Sequence, residues 1–284
     1  MPELPEVETI RRHLAPYVEG RTLDTVEIRD ARWCRPLAPT EVEAALRGRR
    51  VERLSRRGKY LVWELEDELY LLMHLRMTGT LLLDPPAPPP HARVLFSLGD
   101  RRLVYDDPRR FGTGELALGP DALAAFFEAR LGVEPLEQGF TAEHLYALAR
   151  TSRAPVKAFL LDQKRVAGVG NIYADEALFR ARVHPLRPAN RLTRAQCAAL
   201  RDAVVESLLA GLDAKGATID DFRDPYGVSG SFQDQFLVHL REGEPCTECG
   251  GPVRKLRVAG RGTYVCERCQ PRPRAPGRAK TIAG

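Results

Sequence analysis

Two groups of residues in this chain have the types and spacing to do chemistry. The first is at the start, where MPELPEVET sets Pro2 directly behind the initiator Met, with Glu3 beside it and Glu6 one helical turn on. A side chain as compact as that of Pro2 favours removal of Met1, and removal uncovers a secondary amine. An α-amine titrates near about 8, against about 10.4 for lysine, so an appreciable fraction is neutral and nucleophilic at pH 7. A secondary amine also condenses to an iminium, which acidifies neighbouring C–H bonds enough for elimination. Glu3, one residue away, is within the reach that general acid–base work requires.

The second group is Cys246-x2-Cys249 and Cys266-x2-Cys269, with sixteen residues between the pairs. Two short knuckles of this spacing bring four thiolates to one tetrahedral zinc. Disulfides are the competing reading and are disfavoured without an export signal. Four thiolates leave no position for water, so one structural zinc per chain is expected, with no catalytic role. Cys34 and Cys197 stand alone and read as ordinary core or surface thiols. RKLRVAGRGTYV (254–265) reads as two strands and a glycine-rich turn, with Gly260-Arg261-Gly262 putting Arg261 at the tip of a metal-stapled hairpin. An exposed Arg is ordinarily a solvated charge; here the flanking glycines and rigid base favour a phosphate or base contact.

Weaker signals lie between these ends. GVGNIYADEALF (168–179) places two glycines and Asn171 before a helical stretch, a geometry whose open N–H groups bind phosphate, although such a turn is usually only a connection. Lys157 on the preceding helical segment could supply a companion charge. RRGKY (56–60) offers Lys59, HLRMTG (74–79) offers His74 and Met77, and DDPRRFG (106–112) offers Arg109 and Phe111. Taken singly these are core residues, a satisfied His and solvated cations. Taken together, Met, Arg and Phe are the side chains that wedge into a duplex and fill the hole left by a displaced base.

The elements that must position them divide the chain. The 284 residues suffice for two cores. Residues 5–14 read as a helix opened by Pro5, and 22–33, 59–75 and 93–107 are β-like. PPAPPP (85–90) is a stiff surface connection. From 141 the texture turns helical, over 141–150, 154–163, 171–182 and 193–216, and 217–235 is a Gly/Asp/Ser-rich loop. The expected domains are therefore 1–130, mostly β with one leading helix; 131–240, helical; 241–270, the cysteine module; and 271–284, a basic disordered tail. Net charge is +5, and from Arg241 to Gly284 ten Lys/Arg stand against four Glu, an excess of six, so the remainder sums to −1. A basic end on a near-neutral body suggests a polyanion such as nucleic acid, with a solubilising tail as the bland alternative. The start lacks the basic-then-apolar order of a signal peptide and no apolar run could span a bilayer, so a cytoplasmic protein without a membrane partner is expected.

PELPEVET, RRGKYL, HLRMTG, DPRRFG, LLDQKRVAGVGNIYADEALF and the paired cysteines with GRG follow one another in an order that resembles the bacterial formamidopyrimidine-DNA glycosylases of the Fpg/Nei superfamily, from Pro2 to about Gln270. The resemblance implies an α+β fold: an N-terminal β-sandwich with a leading helix, and a helix–two-turn–helix domain carrying a zinc hairpin, with DNA in the cleft between them. It implies base-excision repair by a bifunctional enzyme that removes 8-oxoguanine and formamidopyrimidines and then cleaves the abasic strand by β,δ-elimination. Pro2 would be the nucleophile at C1′, Glu3 the acid/base, and Glu6 an organiser of the amine end and part of the DNA-binding set. Lys59 would bind phosphate beside the lesion and support catalysis. Met77, Arg109 and Phe111 would fill the vacated gap, with Arg109 facing the orphaned cytosine. His74, Lys157, Asn171 and Arg261 would hold phosphates, Arg261 counting also with the catalytic residues, and 217–235 would fold over the flipped purine. The partner implied is double-stranded DNA with oxidised bases or abasic sites, bound by a monomer. An endonuclease VIII-like preference for oxidised pyrimidines and a non-catalytic damage-binding protein of the same fold are the alternatives. The chain departs from the family at His239-Leu240, where Tyr-Gly is common, and in details of DPYGVSGS (224–231).

Overall fold

The computed structural model describes residues 1–219 and 222–273. Of the basic tail expected at 271–284, residues 274–284 lie outside the described residues, as do Asp220 and Asp221 of the 217–235 loop. The chain forms two compact units, one of Met1–Glu137, Asp162–Gly170 and Glu206–Gln235, the other of Gln138–Leu161, Asn171–Val205 and Phe236–Gly284. Among the described residues no helix is long and apolar enough to cross a membrane.

The first unit opens with helix α1 (Leu4–Val18), whose Val7, Ile10 and Leu14 are buried on one face. Two four-stranded antiparallel sheets follow. One orders β1 (Thr25–Ile28), β6 (Ala92–Leu98), β7 (Arg101–Asp106) and β5 (Thr80–Leu83); the other orders β2 (Val51–Arg57), β3 (Tyr60–Leu65), β4 (Leu69–His74) and β8 (Thr113–Leu118). In β6 burial alternates strictly, as a strand with one core face requires. Trp63 of β3 stacks on Phe96 of β6 at 5.3 Å between ring centroids, joining both sheets and α1 in one apolar cluster. This is the β-sandwich with a leading helix that the sequence suggests.

Two further helices depart from the mostly-β expectation. Helix α2 (Pro39–Leu46) buries only Val42 and Leu46, and α3 (Pro120–Glu128) has no fully buried residue. Both begin at a proline in the first turn, and in α2 the Glu41 carboxylate accepts from Ala38 N at 2.7 Å. Each also has an apolar face at helical spacing, Val42, Ala45 and Leu46 in α2 and Leu123, Phe126 and Phe127 in α3, the latter packed against Tyr60, Val62 and Leu72.

Strand register sets two loops side by side. His74 ends β4 opposite Thr113 at the start of β8, and Thr80 starts β5 opposite Asp106 at the end of β7. The loops 75–79 and 107–112, which both pass from one sheet to the other, therefore leave the same pairs of strands. Met77 sits on the first loop, Arg109 and Phe111 on the second.

The second unit is helical: α4 (Ala142–Arg150), α5 (Val156–Leu161), α6 (Asn171–Arg180) and the start of α7 (Arg194–Asp213), whose later residues belong to the first unit. Thr141 caps α4 by accepting from His144 N at 3.1 Å. The unit ends in the antiparallel hairpin β9 (Arg254–Val258) and β10 (Arg261–Val265). Ala259 and Gly260 connect these strands, both at positive φ, as a tight two-residue hairpin turn demands. Arg261 is thus the first residue of β10 and exposed, one step past the turn where the sequence had put it at the tip.

Candidate active site and metal centre

The chain start in the first unit buries two carboxylates. Pro2 and Glu3 are buried, and Glu3 precedes α1 with extended backbone, where a carboxylate meets the open N–H end of a helix favourably. Glu6 is 1% exposed and bridges: one carboxylate oxygen accepts from Glu3 N at 2.8 Å and the other from Ala217 N at 2.8 Å. It is therefore an organiser of the chain start, fastened to the base of the 217–235 loop.

The glycines of GVGN turn out to serve this carboxylate pair. The Leu4 amide donates to Gly168 O at 3.1 Å, and a Cβ on Gly168 would press on the Leu4 side chain at 2.6 Å. A Cβ on Gly170 would collide with the Glu3 carboxyl group, and one on Gly216, at φ +85°, would reach Glu6 at 2.8 Å. Gln163 holds the turn from within its own loop: its Oε1 accepts from Gly168 N and its Nε2 donates to Val169 O, both at 2.9 Å. The sequence flagged these glycines as a phosphate turn. Their close approach to Glu3 and Leu4 depends on residues far apart in the chain and has no local signal.

Lys59 is buried in the turn between β2 and β3. Glu134, at 2% exposure, ties that turn down by accepting from Gly58 N at 2.9 Å and from Arg56 and Arg57 at 2.7 Å each. A Cβ on Gly58 would lie 3.5 Å from Gly168 N, so the Lys59 turn and the chain start meet at the same glycine turn. Across β3 and β4, Tyr60 pairs with His74, their rings edge to face at 4.7 Å. Burial, then the charges of Arg76 and Lys59, pushes His74 down to about 3. Its Nδ1 accepts from Arg76 N at 3.0 Å, so the ring is neutral with its proton on Nε2, a donor suited to an anion's oxygen.

Arg109 and Phe111 are exposed, the guanidinium 4.9 Å from the ring centre, and Met77 is half-buried. Arg110, at φ +60°, turns the other way into a bidentate pair with buried Asp30 at 2.5 and 2.8 Å. The arginine facing solvent is thus separated from the structural one by backbone geometry.

In the second unit the four cysteine sulfurs lie within 4.8 Å of one another, with 3.8 Å between Cys246 and Cys269 and 3.5 Å between Cys249 and Cys266. Tetrahedral zinc with sulfurs about 2.3 Å away sets them about 3.8 Å apart, so the donor set fits. The Gly251 N–H, then the Cys266 thiol, draws Cys249 down to about 7, whereas burial and the neighbouring thiols push Cys269 up to about 12. Crowded sulfurs oppose one another's ionisation, and a dication at their centre reverses that balance.

Lys157, expected at a phosphate, is fully buried instead. Its ammonium meets Asp175 Oδ1 at 2.7 Å and donates to Thr263 Oγ1 at 2.9 Å and Gly262 O at 3.0 Å. Asn171 donates its side-chain N–H to the same carbonyl at 3.1 Å. Both grip the strand directly after Arg261. The other Asp175 oxygen takes His239 Nδ1 at 2.9 Å, and Glu176 accepts the backbone N–H groups of Leu237, Val238 and His239 at 2.9–3.1 Å. Leu240 keeps φ +61°, the conformation a glycine there would adopt freely. No sequence pattern pointed to Asp175, Glu176 or Glu134, whose partners are all distant in the chain.

Residues 1–114 match the formamidopyrimidine-DNA glycosylase N-terminal domain, 131–223 its H2TH domain, and 243–272 the zinc finger found in FPG and IleRS. The formamidopyrimidine-DNA glycosylase of Methylococcus capsulatus is 43% identical over 95% of this chain and 100% of its own length. That of Thermus thermophilus is 45% identical over 95% and 98%, and its crystal structure superposes with a TM-score of 0.86. A Lactococcus lactis Fpg solved with abasic-site DNA is 35% identical over 95% and 100%, with a TM-score of 0.88. The chain belongs to the formamidopyrimidine-DNA glycosylase family, and its hairpin is a zinc finger.

Proposed function

We propose that this protein removes oxidised purines, 8-oxoguanine and formamidopyrimidines, from double-stranded DNA and cleaves the strand at the resulting abasic site. The observation that carries the reading is the burial of Glu3 beside Pro2, with Gly170 so close that a Cβ there would collide with the Glu3 carboxyl group. Once Met1 is removed, the Pro2 nitrogen attacks C1′ of the damaged nucleotide, and the glycosidic bond breaks as the base departs with a proton. Glu3 moves the proton that opens the sugar ring, leaving an iminium between Pro2 and C1′. That cation acidifies the C2′–H; loss of this proton expels the 3′ phosphate, and a second elimination expels the 5′ phosphate. The target atom is inaccessible in stacked DNA, so the nucleotide must leave the helix. Met77, Arg109 and Phe111 fill its place, with Arg109 against the orphaned cytosine, and 217–235 covers the extruded purine.

Lys59, His74 and Arg261 receive phosphates, His74 as a neutral donor. Lys157 and Asn171 hold the strand that presents Arg261, and zinc holds the hairpin without entering the reaction. The protein acts as a cytoplasmic monomer, with catalytic sandwich (1–130), DNA-binding helices (131–240), finger (241–270) and tail (271–284) as its domains.

The test incubates purified protein with duplex carrying one 8-oxoguanine opposite cytosine in the presence of sodium borohydride, which reduces an iminium to a stable cross-link. Mass spectrometry should place that link on an N-terminal Pro2, absent when Met1 is retained. Lesion duplex bound without cross-link or cleavage, with Met1 removed, would leave a damage-binding protein of this fold.

A further inference from the structure

We propose that Asp107, acting with Thr78 and Tyr105, is the positioning residue that joins the Met77 loop and the Arg109–Phe111 loop into one preformed wedge. The inference rests on the reading above that these loops enter the DNA. Asp107 is 1% exposed, and its carboxylate gathers five donors. One oxygen accepts from the Thr78 hydroxyl at 2.5 Å and from Arg109 N at 3.2 Å. The other accepts from Phe111 N and Gly112 N at 2.9 Å each and from the Tyr105 hydroxyl at 3.2 Å. Thr78 follows Met77 directly, so a single carboxylate holds the residue after one wedge side chain and the amides of the other two.

The neighbourhood is built around that junction. A Cβ on Gly79 or on Gly112 would overlap the Tyr105 hydroxyl, so the glycine closing each loop admits the same phenol. Burial, with Asp107 beside it, pushes the Tyr105 phenol well above its ordinary range, which keeps it a donor. On the outer flank, Arg110 is pinned to Asp30, so the loop apex has one orientation, with Arg109 and Phe111 exposed. A wedge that must enter a base stack gains from order before contact, because side chains and loops arrested only on binding charge their entropy to the complex. Asp107 supplies that order through hydrogen bonds to backbone amides, leaving all three wedge side chains outside its network.

The test separates wedge from chemistry. Thr78→Val removes the hydroxyl and keeps the shape; Thr78→Ser restores it. Single-turnover excision of 8-oxoguanine is measured opposite cytosine and opposite adenine, alongside cleavage of a preformed abasic site in single-stranded DNA, where no orphaned base needs a partner. A 2-aminopurine set opposite an abasic analogue reports wedge insertion. Thr78→Val should slow duplex excision about tenfold, the scale of one buried hydrogen bond. It should also narrow the cytosine-over-adenine preference and weaken the 2-aminopurine response, with single-strand cleavage at the wild-type rate and Thr78→Ser close to wild type. Should Thr78→Val melt at markedly lower temperature, Tyr105→Phe, which removes one donor to the other oxygen, is read in its place against the same outcomes. Wild-type excision and opposite-base preference in the variant would overturn the proposal while leaving the glycosylase reading intact. So would equal losses on duplex and single strand. A wild-type protein that neither excises the lesion nor forms the borohydride cross-link would overturn both readings together.

Discussion

Glu3 and Glu6 in the first unit and Lys157 and Asp175 in the second are all buried ionisable residues, and their surroundings differ. Around Glu3 and Glu6 the chain clears space and offers backbone: glycines at 170 and 216 and amides of residues 3 and 217. Around Lys157, charge meets charge at 2.7 Å, and metal-ligating thiols finish the same hairpin. The first arrangement sets the Glu3 carboxyl group against a glycine at the open end of a helix and suits a group that must exchange protons. The second fixes both charges and suits a scaffold. The difference also predicts how each region fails.

Withdrawing the metal should separate the two most sharply. Structural zinc contributes on the order of 10 kcal/mol to the folding of small cysteine modules. A thiol-compatible chelator should therefore collapse hydrogen-exchange protection over 254–265 and abolish lesion binding, while β2 to β4 stay protected. Equal loss in both regions would erase the distinction.

Glu3→Gln tests the other side. Removing a positioned acid–base group costs about 10²–10⁴ in rate, and stability should hardly change because the shape is retained. Single-turnover excision and a melting curve on the same sample decide it. In the second unit, Asp175→Asn leaves Lys157 buried beside a neutral group, which typically costs about 3–5 kcal/mol. Chemical denaturation should show that loss, and Lys157→Met combined with Asp175→Leu should recover much of it.

Gly170→Ala sharpens the comparison further, since it neither adds nor removes a charge. Forced overpacking costs about 1–3 kcal/mol, and here it falls on the Glu3 carboxyl group, so excision should drop more than stability does. The last effect expected is a pH dependence. His74 is neutral in the fold with its proton affinity pushed down to about 3, against 6.5 for the ordinary side chain. Its contribution to stability is present above about pH 6.5. As pH falls from there toward 3 the unfolded chain binds a proton that the folded one refuses, at up to about 1.4 kcal/mol per pH unit. His74→Gln should flatten that part of the melting-temperature profile between pH 7 and 4.

Much of this was readable in the chain. The helices over 141–150, 171–182 and 193–216 appear as α4, α6 and α7, because a long apolar period survives without knowledge of partners. The short helices α2 and α3 escaped, although Val42, Ala45 and Leu46 in one and Leu123, Phe126 and Phe127 in the other stand at helical spacing. The four cysteines were legible because metal geometry restricts spacing within one hairpin. Glu134 and Asp175 were not, since the purpose of each carboxylate is set by donors from distant segments.

Sequence alone determined the chemistry available at each end: an amine-forming proline followed by an acid, and two thiol pairs that one zinc can join. Both follow from bonds between near neighbours. Tertiary structure decided which charges stay accessible and which become structure. Arg109 faces outward while Arg110 is spent on Asp30, and Lys157 disappears beneath the strand of Arg261. Adjacent or similar residues are assigned opposite tasks there because desolvation acts on the folded environment, and only the fold determines which segments supply it.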